Sequence, residues 1–88
     1  MPLFKSRVLV RLRPSVLDPA GEAARSAAGR LGIDGIATLR IGKSIELEVE
    51  ANDENEAKKK IEILSDRLLS NPVIEDWSFE IKNASTLV

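Results

Sequence analysis

Leu39-Arg40-Ile41-Gly42-Lys43-Ser44-Ile45-Glu46-Leu47-Glu48-Val49-Glu50 decides the fold. Apolar side chains fall at 39, 41, 45, 47 and 49 and polar ones at 40, 44, 46, 48 and 50, the two-residue period of strand with one wet face. A two-residue loop at Gly42-Lys43 would set Leu39 opposite Glu46 and send the two apolar rows to opposite faces. A three-residue loop, Gly42-Lys43-Ser44, pairs Ile41 with Ile45 and Leu39 with Leu47 on the core side, and Arg40 with Glu46 outside. The pattern predicts a hairpin with a three-residue loop. A single long strand bent at Gly42 keeps the same parity and stays open.

Toward the N-terminus, Val8, Val10 and Leu12 alternate with Arg7, Arg11 and Arg13, which predicts a first strand over Lys5 to Arg13. Pro14 ends it. Asp18-Pro19 supplies an N-cap carboxylate and a proline at the first helical position, where a missing N–H costs nothing. Ala20, Ala23, Ala24, Ala27, Ala28 and Leu31 then form one apolar stripe made almost wholly of methyl groups. Such a helix is expected to lie very close to its sheet, and Gly32 fits the left-handed position that closes it. Toward the C-terminus, Asp53 and Glu56 have capping-box spacing for a second helix over about Glu54 to Ser70. Its core stripe is Ala57, Ile61, Leu64 and Leu68, widened by Ile63 and Leu69. Asn71 is expected in the left-handed cap, and Pro72 forbids continuation. A last strand, about Asp76 to Lys82, alternates Trp77, Phe79 and Ile81 with Ser78, Glu80 and Lys82. Residues 1 to 82 thus read as one domain, with 83 to 88 as a flexible tail.

The order strand, helix, strand, strand, helix, strand closes most simply as an α+β ferredoxin-like two-layer sandwich, a four-stranded antiparallel sheet with two helices on one face. Right-handed crossovers place the first strand at the centre, flanked by the third and fourth. Arg7, Arg11 and Arg13 would then lie between Glu46, Glu48 and Glu50 on one neighbour and Glu80 on the other. Such pairs are worth at most about 1 kcal/mol each and serve mainly to fix strand pairing.

Thirteen basic against fourteen acidic residues leave a formal charge of -1, an ordinary globular balance that asks for no nucleic acid. With no cysteine there is no disulfide framework. No apolar run is long enough for a bilayer and the start lacks a signal-peptide core, so a cytoplasmic protein with no membrane partner is expected. An 88-residue chain has a thin core, and self-association is expected.

Histidine is also absent, which excludes Ser-His triads, thiol nucleophiles and most zinc sites. Asp53, Glu54 and Glu56, and Glu75 with Asp76, match no calcium loop and read as caps and a solvated strand end. Gly29-Arg30-Leu31-Gly32 and Gly42-Lys43-Ser44 fall short of a P-loop. An RNA-binding sheet would carry aromatics where this one carries arginine and glutamate. No catalytic, metal or cofactor-binding residue is therefore expected.

What remains is a set of loop motifs with a narrow choice of side chain: Val16-Leu17-Asp18-Pro19 with Gly21, Arg40-Ile41-Gly42-Lys43, and Asn71-Pro72-Val73-Ile74-Glu75-Asp76-Trp77. The combination V-L-D-P-x-G, L-R-I-G-K-x-I-E-L and L-L-x-N-P-V-I-E-D-W resembles PurS, the small subunit of phosphoribosylformylglycinamidine synthase, from about Lys5 to Ile81. Ser44 stands where that family commonly carries an aromatic residue, and Trp77 where tyrosine is frequent.

The resemblance implies a non-catalytic subunit of a complex in purine synthesis that converts formylglycinamide ribonucleotide, ATP and glutamine into formylglycinamidine ribonucleotide. A large synthase subunit would use ATP and magnesium, a glutaminase subunit would release ammonia, and this chain, as a homodimer or higher oligomer, would bridge them and assist ammonia transfer. Arg40, Gly42 and Lys43 at the hairpin, Asn71, Pro72, Glu75 and Asp76 at the second helix's exit, and Asp18, Pro19 and Gly21 at the first helix's start are the expected partner contacts. Their purely structural roles would be turn, C-cap and N-cap. The competing readings are a small-molecule-sensing regulatory domain acting as a dimer, and a stand-alone enzyme, which lacks a catalytic group.

Overall fold

A computed structural model of the chain describes residues 2–83; of the expected tail, 83–88, Asn83 belongs instead to the last strand and 84–88 lie outside the described residues. The elements are β1 (Leu3–Leu12), α1 (Pro19–Arg30), β2 (Lys43–Glu50), α2 (Glu54–Leu64), a π-helical turn (Ser65–Leu69) and β3 (Glu75–Asn83). The strands form one antiparallel sheet in the order β2-β1-β3. The first strand is central, flanked as the crossover rule requires, with Val8 opposite Ile45 on one side and Phe79 on the other. Phe4, Val8 and Val10 lie on the helix side of β1 and are buried, Val8 and Val10 with Ile61 of α2 and Phe4 with Ala51 and Ala57. The flanking rows, Ile45, Leu47, Val49, Trp77, Phe79 and Ile81, pack against that centre but are only half-buried.

The sheet has three strands, not four. The hairpin expected at Gly42-Lys43-Ser44 does not form, because Lys43 and Ser44 already belong to β2, opposite Val10 and Leu9. A three-residue hairpin loop needs a left-handed residue. Positive φ among the described residues occurs at Gly32 (83°) and Gly35 (85°) and not at Gly42. The chain instead passes Gly42 without reversing, and the single long strand does not form either, because β2 starts at Lys43 and residues 39–42 belong to no strand. A Cβ at Gly42 would sit 2.7 Å from the Val10 carbonyl oxygen, so this glycine serves close approach and not a turn.

The second departure is α1. Asp18 and Pro19 start it as expected, and Gly32 takes the left-handed position after its end. Yet the helix that packs on the sheet is α2, and Gly21 is the buried residue of α1. Ala20, Ala23 and Leu31 of the alanine stripe are exposed, and the sheet face has one helix on it instead of two.

The third is the end of α2. The π turn inserts one residue into the period. The inward positions run Ala57, Ile61, Ser65 and then Leu69, while Leu68 is 73% exposed. Asn71 is not left-handed either. Ser70 ends the helix in extended conformation, giving both its N–H and its hydroxyl to the Ser65 carbonyl. On the outer face Arg7 alone lies between two acids, 3.2 Å from Glu46 and 3.9 Å from Glu80. Glu48 and Glu50 oppose Lys5 and Leu3, because Arg11 and Arg13 fall beyond the end of β2.

Candidate partner interface

Three loop segments meet where β1 ends, and each of the sequence motifs supplies one of them. The first is the entry to α1. Asp18 is 5% exposed; its Oδ1 accepts from the Gly21 N–H (2.9 Å) and its Oδ2 from the Ile41 N–H (2.8 Å). One carboxylate therefore caps its own helix and anchors the segment leading into β2. A Cβ on Gly21 would run into the Leu39 carbonyl oxygen and lie 2.9 Å from Asp18 Oδ2, which is why glycine stands there. The Ile41 and Gly21 N–H groups, helped by the Arg40 charge, hold the Asp18 carboxyl below its ordinary value against the opposing effect of burial.

Arg40 stitches the same corner. Its Nη2 donates to the carbonyls of Leu12 (3.4 Å), Arg13 (2.9 Å) and Val16 (3.0 Å), tying the end of β1 to the loop before α1. Between these segments lies a cleft of about 320 Å³ lined in part by Val16, Leu17, Asp18, Thr38 and Leu39. The third segment is the exit of α2. Asn71 accepts from Ile74 and Glu75 N–H through its carbonyl and from Val73 N–H through its side chain, and gives its own N–H to Glu75 Oε1 at 2.7 Å. Glu75 Oε2 also lies 3.9 Å from Lys43 Nζ.

Arg13 joins the third segment to the other two. Its backbone N–H donates to Ile74 O (2.8 Å), its Nη2 to Pro72 O (2.6 Å), and its Nε lies 3.3 Å from Asp76. All ten residues singled out in the sequence thus belong to one connected corner of the fold. Pro19 lies at the first helical position and Gly42 against β1, so these two act through backbone shape. Arg13 itself was missed, read only as a charge on the outer sheet face; its place immediately before Pro14, where a strand must stop, was the available signal. Also missed were the exposed aliphatics of this corner, Leu17 (74%) and Val73 (77%).

The corner is built to hold shape. Its carboxylates are engaged by N–H groups or cations: Asp18 by two amides, Glu75 by an amide and Lys43, Asp76 by Arg13. The other acids weighed for a cation cap or flank α2, with Asp53 accepting from Glu56 N–H, Glu54 3.6 Å from Lys58 and Glu56 3.3 Å from Lys60. With those bonds made within the corner, the aliphatic Leu17 and Val73 face outward beside the partly exposed charged side chains of Arg13, Lys43 and Asp76, a surface suited to protein contact.

Comparison with known proteins agrees with the motifs. Residues 5–83 match the family model PurS, described as phosphoribosylformylglycinamidine (FGAM) synthase. The phosphoribosylformylglycinamidine synthase subunit PurS of Synechocystis is 51% identical over 78 residues, covering 89% of this chain and 78% of that one. The subunit of the same name from Mycobacterium leprae is 44% identical over 76 residues, 86% of this chain and 92% of that one. Among solved structures, a chain of PurLQS from Thermotoga maritima superposes with a TM-score of 0.85 at 36% identity, covering 93% of this chain and all of that one (100%). PurS of Bacillus subtilis gives 0.82 at 35% identity, over 91% and 99%. The motifs, the fold they build and the match along almost its whole described length place this chain in the PurS family of phosphoribosylformylglycinamidine synthase.

Proposed function

We infer that the chain works as the PurS subunit of phosphoribosylformylglycinamidine synthase in purine biosynthesis, a structural part of a ligase complex. The observation that carries this is the superposition on a chain of the PurLQS structure over 93% of its length. The finer reading is that it bridges a large subunit, which uses ATP and magnesium, and a glutaminase subunit, and helps ammonia pass between them in the cytoplasm. Supporting it, the stapled corner is held by hydrogen bonds within its own loops and presents the exposed Leu17 and Val73 beside partly exposed charges. Ammonia near neutral pH is mostly protonated and then not nucleophilic, so a closed protein path preserves its reactivity.

The same reading includes a homodimer that completes the ferredoxin-like layout. A compact domain of this length has a radius of gyration of about 12 Å, whereas this chain measures 16.9 Å, with extents of 51 × 33 × 14 Å. One helix, about 10 Å across, covers a central strand but not both neighbours at a spacing of about 4.8 Å. The half-buried flanking rows therefore want a second helix, and the alanine face of α1 wants a sheet. In the proposed dimer α1 lies on the partner copy's sheet, and segment 36–41 adds a fourth strand at the free edge of the partner's β2.

Mixing the chain with the large and glutaminase subunits from the same source tests the bridging role. Glutamine-dependent turnover should require the chain, while ammonia-dependent turnover by the large subunit alone should not. Glutamine-dependent activity indifferent to a saturating amount of the chain would overturn the reading.

A further inference from the structure

We propose that Asp34-Gly35 is a site of spontaneous backbone isomerisation, at which the main chain is rerouted through the aspartate side chain to give isoaspartate. Four observations converge on it. Both residues are exposed, and they lie in the segment between α1 and β2 that belongs to no helix or strand. After the Ile33 N–H, which donates to Ala28 O at the end of α1, the next backbone N–H held by a hydrogen bond is that of Ile41. Among the described residues, then, the Gly35 N–H has no hydrogen-bond partner and no bond need break before it reacts. Gly35 also has φ +85°, and a Cβ built there would meet nothing within 4 Å, so no neighbouring group obstructs the rearrangement.

The chemistry balances without a co-reactant other than water. The Gly35 nitrogen, giving its proton to solvent, bonds to Cγ of the protonated Asp34 carboxyl. The C–OH bond breaks, and the oxygen leaves as water with one added proton, closing a succinimide ring. Water then adds to either ring carbonyl. Opening at Cγ restores aspartate; opening at the main-chain carbonyl leaves the peptide bond on Cγ, which is isoaspartate with one extra methylene in the backbone. The overall change in mass is nil.

The other aspartates are held away from this route. Asp18 precedes a proline, which has no N–H, and its oxygens are occupied. The Asp53 carboxylate is engaged as the cap of α2, accepting from Glu56 N–H, while Asp66 lies in the π turn and Asp76 in β3, where the backbone is committed to regular bonding. The proposal also stands in the proposed dimer, since Asp34 and Gly35 lie outside the segment 36–41 that would pair with the partner copy.

The test is to age the full chain in mildly acidic buffer and follow isoaspartate in two ways. One is enzymatic methyl transfer from labelled S-adenosylmethionine by an isoaspartyl carboxyl methyltransferase; the other is peptide mapping by mass spectrometry. Isoaspartate should accumulate with time at position 34, several-fold above the other four aspartates combined. Asp34→Glu, which would need a larger and slower ring, should abolish the signal, and Gly35→Ala should slow it several-fold. Both changes lie outside the sheet and its core, and circular dichroism confirms that the fold survives. No accumulation at 34, equal accumulation elsewhere, or an unchanged signal in Asp34→Glu would overturn the proposal.

Discussion

Asp18 does the work of two residues, and its two oxygens explain why no near-isostere can replace it. In Asp18→Asn one oxygen could still accept from Gly21 or Ile41, but the amide nitrogen would then face the other N–H, leaving a donor without an acceptor. The carboxyl is held below its ordinary value of 3.8, so the folded state binds fewer protons than the unfolded one. Its stabilisation is complete above that ordinary value and is lost as pH falls through the depressed folded value. The difference in urea midpoint between the natural chain and Asp18→Asn should therefore be constant near neutrality and shrink below pH 3.8, as a denaturation series across pH would show. Gly21 and Gly42 are fixed by the same corner for a steric reason, since each lies where a methyl group would strike a carbonyl oxygen.

Among the elements, the π turn has the sharpest consequence. Its extra residue directs Leu69 toward the sheet and Leu68 toward solvent, the reverse of an unbroken α-helix. Leu69→Ala should cost about 2 kcal/mol and Leu68→Ala no more than about 0.5 kcal/mol in equilibrium urea unfolding of the isolated chain. The opposite order would mean that the helix continues without interruption. Nothing in the sequence distinguishes these registers, because both positions hold leucine and a single inserted residue changes no residue type. Strand order, by contrast, was legible, because alternation fixes the buried face of each strand and crossover handedness leaves one centre. The corner was legible as three motifs but not as one object, since the arginine that joins them follows a strand whose alternating arginines do face outward. Gly42 misled for a related reason: a glycine needed for a turn and one needed for close approach look alike in a sequence.

For the whole molecule, the alanine stripe predicts a buried face that the chain by itself leaves partly exposed, and the proposed dimer would cover it with the partner copy. Placing a carboxylate there separates the possibilities. Ala27→Glu should convert a dimer into a monomer by light scattering, whereas Ser26→Glu, off the stripe, should leave it paired. A dimer that survives Ala27→Glu would rule out the alanine face as the contact. Asp18 fastens α1 at its first turn, and in the proposed dimer each copy would give away an arm and receive one, so that the two halves of the contact would be separate. That has a genetic consequence. A chain with a damaged α1 face and a chain with a damaged sheet edge, each inactive by itself, retain between them one sound arm and one sound receiver. Expressed in the same cell, the two defective alleles would rebuild half of the pairing that neither makes alone.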